Sequence, residues 1–271
     1  MDVIHHITFR TKHYHYATDY FKKIGIKIKE TNSGTSVIDI GENDKRWLDV
    51  RKFIDEHPTD IRDFQDVTQF TKAEMDNADF FSVHPKWHHQ YPQPDDFGYK
   101  AITYDSTKIC SKCDIEHKQI APFSITRNPK WGRRNILQLN WVFDEYFVSA
   151  DLKSRLENEC GLLNFRAVKK HRKNEMLDDI YQLDIKQAVD LDMPSEAKFK
   201  VCELCKQKKY LPHTRGFCPS PKNDNFAIAH SMQYFGDMHK AFHEVLINKD
   251  IYKLFIKAGV NGVSFIPCSA R

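Results

Sequence analysis

The sequence predicts an α+β protein, with small mixed sheets and helices around an embedded four-cysteine site. Three observations carry that expectation. Segments of apolar–polar alternation, as in half-buried strands, are interspersed with segments of helical periodicity. A turn sequence joins two of the alternating segments into a hairpin. Two Cys-x-x-Cys pairs, Cys110/Cys113 and Cys202/Cys205, stand far apart in the chain.

Taken in order, VIHHITFR (residues 3–10) alternates loosely and reads as a strand. HYATDYFKKIG has helical spacing and ends at Gly25, suited to the left-handed position past a helix. IKIKE and TSVIDIG alternate on either side of the turn TNSG and form the hairpin. DKRWLDVRKFIDEH reads as a helix that closes before Pro58. Thr71 and Glu74 have capping-box spacing and open a helix over KAEMDNADFF. HPKWHHQYPQPDDFGY, rich in proline and aromatics, reads as an ordered, packed loop. After the first cysteine pair comes a dense aromatic segment, PFSITRNPKWGRRNILQLNWVFDEYFVS. SADLKSRLENECG is a helix capped by Ser149 and stopped by Gly161. VKKHRKNEMLDD reads as a charged turn region, and IYQLDI as a strand leading back to the second cysteine pair. The chain closes with a strand (FHEVLIN), a helix stopped at Gly259 (KDIYKLFIKAG) and a strand (GVSFIPC). This divides it into an N-terminal α/β segment, residues 1–70, and an α+β domain, residues 71–271.

The composition sets bounds. The 271 residues suit one large domain or two small ones. With 41% hydrophobic and 29% charged residues, the chain can bury a core beneath a polar surface. A net charge of +4 is compatible with a nucleic-acid binder and with an ordinary soluble protein, so it selects neither. No apolar run approaches the roughly 20 residues that span a bilayer. The opening residues lack a basic region followed by an apolar one. The expected location is cytoplasmic, without membrane association. In that reducing compartment, paired Cys-x-x-Cys spacing points to metal rather than to disulfides.

A structural zinc site takes four tetrahedral ligands, commonly thiolates, and each Cys-x-x-Cys turn offers two. Cys110 and Cys113 form one knuckle and Cys202 and Cys205 the other, with residues 114–201 as a long insertion between them. One structural Zn2+ is expected. Cys218 or His213 could replace a ligand, since both lie within a loop's reach of Cys205. A closed four-thiolate shell leaves no open position for water or substrate, so such a metal staples the fold.

Other residues offer candidate chemistry. Trp131, Arg133 and Arg134, with Lys169, Lys170 and Arg172, could contact phosphates and stack on bases. The same residues also suit a turn at Gly132 and a solvated basic turn. Asp144 and Glu145 between apolar flanks read as an exposed turn or a helix start. His239 and His243, four apart, would share a face on a helix. No nucleophile–base pair and no phosphate-binding loop can be picked out.

The doubled Cys-x-x-Cys with its long aromatic insertion, and the ending EVLINKDIYKLFIKAGVNGVSFIPC, resemble the bacterial double-CXXCG proteins and the related immunity proteins of polymorphic toxin systems. The resemblance covers residues 71–271. It implies a zinc ribbon embedded in an α+β domain, and a non-enzymatic protein that binds and neutralises a cognate toxin or effector domain. A glycine normally follows each second cysteine in that family, whereas Asp114 and Lys206 stand there in this chain. Only the four cysteines carry over. The alternative expectation is a nucleic-acid-binding or nucleic-acid-processing protein with a structural zinc ribbon.

Overall fold

In strand β1 (Asp2–Arg10), Val3, His5, Ile7 and Phe9 are buried and the residues between them are not, so the alternation becomes one inward face. The computed structural model describes residues 1–58, 60–105, 107, 109–113, 115, 118–173, 175–236 and 241–270. It divides into two compact units: residues 1–77 with 213–216, and residues 78–212 with 217–271.

In the first unit, β1 is followed by α1 (His15–Lys23), β2 (Lys29–Glu30), β3 (Thr35–Gly41), α2 (Trp47–Glu56), β4 (Ile61–Gln69) and α3 (Lys72–Asn77). The strands form one antiparallel sheet in the order β2-β3-β1-β4. Ala17 and Phe21 of α1 and Val50 and Ile54 of α2 bury against Ile7, Phe9, Ile38, Ile40 and Ile61. Each fully buried large side chain contributes roughly 1.5–3 kcal/mol. Gly25 takes φ +75° just past α1, and the IKIKE strand shortens to Lys29–Glu30. The capping box forms: the Glu74 amide donates to Thr71 Oγ1 at 3.2 Å, and the Thr71 amide donates to Glu74 Oε2 at 2.7 Å. The helix it opens ends at Asn77, because Phe80 and Phe81 are drawn into a strand of the second unit.

The second unit begins with β5 (Phe80–Pro85), α4 (Tyr99–Thr103), β6 (Ser124–Ile125), β7 (Ile136–Gln138), β8 (Tyr146–Ser149), α5 (Ala150–Cys160), β9 (Phe165–Lys170) and β10 (Met176–Leu183). It continues with β11 (Gln187–Val189), β12 (Phe199–Val201), β13 (Lys208–Tyr210), β14 (Ile228–Phe235), β15 (Phe242–Asn248), α6 (Lys249–Lys257) and β16 (Val263–Pro267). One sheet has the order β6-β9-β10-β8-β7, and the other the order β12-β13-β14-β15-β5-β16 with β11 paired to β14. Asn135 ties the sheets together. Its Nδ2 donates to the Gly259 carbonyl at 2.8 Å, and its Oδ1 accepts from the Asn261 amide at 2.7 Å. Ser149 caps α5 by accepting from the Leu152 amide at 3.2 Å, and Gly161 and Gly259 take left-handed φ past their helices.

Two readings change here. VKKHRKNEMLDD is a β9–turn–β10 hairpin rather than a long turn, because its alternate residues Val168 and Leu177 pack into the core. IYQLDI belongs to β10 in the other sheet, and β12 is the strand that enters the second cysteine pair. Among the described residues, no helix is long and apolar enough to cross a membrane.

Candidate metal centre

Each cysteine pair sits at the tip of an antiparallel pairing. The second knuckle is the turn of the β12–β13 hairpin, where Val201 pairs with Lys208. The first lies beyond a Tyr104–Gln119 bridge, with the Asp105 amide bonded to the Lys118 carbonyl at 2.9 Å. Within the knuckles, the Cys110 amide donates to the Ile115 carbonyl at 3.3 Å, and the Cys202 amide to the Gln207 carbonyl at 3.0 Å. A hairpin tip turns the chain sharply enough for both cysteines of a pair to present sulfur to one point.

The four Sγ atoms all lie within 4.8 Å of one another. Cys110 Sγ is 3.9 Å from Cys202 Sγ, and Cys113 Sγ is 3.5 Å from Cys205 Sγ. A disulfide would bring sulfurs to about 2.05 Å, and all four thiols are free. A tetrahedral ion bonded to sulfur at about 2.3 Å spaces its ligands about 3.8 Å apart. The spacing fits that shell, and the four cysteines could hold a metal ion.

The local field suits thiolates unevenly. The Cys205 backbone N–H, followed by that of Leu204, lowers the Cys202 thiol to about 6 against the opposing effect of burial. The Cys113 and Lys112 N–H groups lower Cys110 in the same way. Burial, followed by sulfur neighbours, raises Cys113. Burial also raises Cys205, which a cation at the centre of the four would offset. Lys112 and Glu203 form an exposed ion pair that links the two knuckles. Ile115, Tyr234 and Ala241 pack against the cluster. Lys206 takes φ +61°, a left-handed conformation that favours glycine. Asp114, the other departure, lies outside the described residues.

Neither proposed substitute belongs to this group. His213 Nε2 donates to the Gly216 carbonyl at 3.0 Å. Cys218 is in the core beside Cys268.

The candidate nucleic-acid residues are partly committed to contacts within the protein. Trp131 is half-buried, its indole N–H donates to the Asp179 carbonyl at 3.2 Å, and its ring meets Trp87 edge-on. Arg134 lies over the Trp87 ring at 5.4 Å. Lys170 Nζ donates to Asn128 Oδ1 at 2.8 Å, and Asn128 Nδ2 donates to Asp179 at 3.0 Å. Asn128 therefore connects Lys170 to the strand that holds Trp131. Arg133 and Arg172 are exposed, and Lys169 is half-buried.

Asp144 and Glu145 do not form an exposed turn. Gln182, almost wholly buried, donates to Glu145 Oε2 at 2.7 Å. Burial, with Asp144 beside it, pushes the Glu145 carboxyl up to about 8. Glu145 lines a pocket of about 200 Å3 with Asp144, His230 and His243. His243 is on strand β15 rather than a helix, and His239 lies outside the described residues. The His243 Nδ1–H donates to the Gln233 carbonyl at 3.2 Å, which leaves Nε2 with the lone pair, and burial lowers the ring's pKa. The signal for this pocket was the apolar YFV run directly after the two acids, which marks a strand buried on both faces.

The fold and site thus define an α+β protein with a four-cysteine cluster able to hold a metal ion. No family model matches the chain, and a search of the curated proteins finds no match.

Proposed function

We propose that the chain is a non-enzymatic, zinc-stapled binding protein that captures and neutralises a toxin or effector domain of a bacterial conflict system. The observation that supports the staple is the closed set of four sulfurs at tetrahedral spacing. Zinc fits because it is redox-inert, prefers four thiolates, and has no further bond to offer once all four are made. The metal's role is then to hold two hairpin tips together. The toxin as partner rests on the resemblance carried by residues 71–271.

The test is affinity purification of the tagged full chain from its source cell, with metal analysis of the eluate. One zinc per chain and a single co-purifying protein whose toxicity the chain suppresses on co-expression is the expected result. Zinc with nucleic acid that is stripped by raising salt would replace this reading with the nucleic-acid one, because phosphate contacts weaken steeply with salt. An eluate without zinc would overturn the staple.

A further inference from the structure

A surface pocket of about 440 Å3 in the second unit is built from the proline- and aromatic-rich loop after β5 and the loop after β7. Its rings are unusually open: Tyr91 is 49% exposed, Phe97 50% and Trp141 41%. Large aromatic side chains normally bury, and clusters of exposed ones mark binding surfaces. Phe97 and Trp141 meet edge-on, with centroids 5.4 Å apart. The Tyr99 hydroxyl donates to the Trp141 carbonyl at 3.3 Å and pins one wall to the other.

The backbone here is held at a cost. Asp96, Phe97 and Trp141 take φ of +53°, +62° and +68°, and none is glycine. Left-handed backbone costs a residue with a Cβ roughly 1–2 kcal/mol. Glycine at these positions would remove the strain and also remove the carboxylate or the ring.

The chemistry of the lining identifies the occupant. Asp95 and Asp96 both face the pocket. Asp95 accepts from Gln93, while Asp96 has no hydrogen-bond or ion-pair partner among the described residues. The lining holds these two carboxylates and no basic residue, and Lys100, 5.0 Å over the Phe97 ring, shows that one ring face already attracts a cation. Two carboxylates repel phosphate and so disfavour a nucleotide. Aromatic faces with carboxylates favour a cation, and a planar guanidinium stacks on such rings while its N–H fork reaches a carboxylate.

We propose that this pocket seats an arginine side chain presented by the protein partner. The partner reading of the previous section supplies only the source of the arginine; the pocket's selectivity can be measured without any partner.

The experiment titrates the full chain with the capped tripeptide Gly-Arg-Gly and with its citrulline counterpart, which has the same shape and no charge. The readout is the Trp141 indole N–H resonance, assigned with Trp141→Phe. The arginine peptide should shift that resonance at millimolar concentration or below. The citrulline peptide should bind about 2- to 5-fold more weakly, in line with a cation–π contact on exposed rings. Asp96→Asn, at an exposed position, should weaken the arginine peptide about 3- to 10-fold with no loss of melting temperature. Asp96→Gly should weaken it as much while raising the melting temperature. Equal binding of both peptides, no shift up to about 10 mM, or an Asp96→Asn variant with unchanged affinity would each overturn the proposal. Failure of the partner pull-down with a positive titration would remove the partner and leave the pocket.

Discussion

Cys110, Cys113, Cys202 and Cys205 stand on hairpin tips, whereas Cys218 and Cys268 stand inside the core of the same unit. Cys110, Cys202 and Cys205 receive backbone N–H groups on sulfur, and the four sulfurs converge from residues 92 apart. Cys218 and Cys268 are 1% and 4% exposed among Phe80, Leu191, Phe226 and Leu246. There, sharing a hydrogen bond with Cys268 and then burial drive the Cys218 thiol well above its ordinary range. Nearby, the Ser82 hydroxyl donates to the buried Glu244 carboxylate at 2.7 Å. Cys113 is as deeply buried as Cys268, at 4%, but its sulfur lies with three others, two of which backbone N–H groups lower, whereas Cys218 has one buried sulfur beside it among apolar side chains. Four converging sulfurs with backbone donors favour thiolate and metal, and a buried pair in apolar packing favours neutral thiol.

The largest effect is expected from Cys202→Ser. It should abolish stoichiometric zinc and lower the stability of the second unit by several kcal/mol, because metal-binding energy is folding energy. A variant that melts unchanged in denaturant would show that the tips stand without metal. Next is pH. Acid should release the metal, since protons compete for the thiolates. Glu145 acts with the opposite sign. Its folded-state pKa of about 8 lies above its ordinary 4.5. The stability it contributes is therefore complete below about pH 4.5 and is lost as pH rises through about 8. Glu145→Gln should flatten that decline, by up to a few kcal/mol near pH 8, as read from chemical unfolding of the zinc-loaded protein and variant side by side between pH 6 and 8. Cys218→Ala should leave zinc content unchanged and cost about 1–2 kcal/mol in the same assay, the price of one buried sulfur. The smallest effect is expected from Lys206→Gly. Relief of left-handed backbone should raise stability by up to about 1 kcal/mol without altering metal content.

Local rules were readable in the chain because local chemistry enforces them. Thr71 with Glu74, Ser149, Gly161 and Gly259 each act within a few residues, and each is found in its expected role. The four cysteines were readable because metal-ligand spacing is also local within each pair. What was lost depends on distant pairing. Nothing near IYQLDI reveals that its sheet is not the one carrying the second knuckle. Nothing beside Glu145 announces Gln182 across the sheet. The helix expected to run through Phe81 stopped at Asn77 because β15 and β16 claim Phe81 as a strand residue. The composition of HPKWHHQYPQPDDFGY reads as a packed loop, whereas Tyr91 and Phe97 within it are open, in a backbone with left-handed residues that composition does not disclose.

The hairpin that carries the second knuckle has one more consequence. β12 is the outermost strand of its sheet, and Phe199 and Val201 on it are exposed. An unpaired strand edge with apolar side chains is a template for another chain to add to. Lys198 and Lys200 place charge along that border, and a metal ion held by the four cysteines would fasten its end to the first knuckle. Chelation should therefore lead first to self-association through this border, with turbidity rising at protein concentrations and temperatures where the rest of the sheet is still folded.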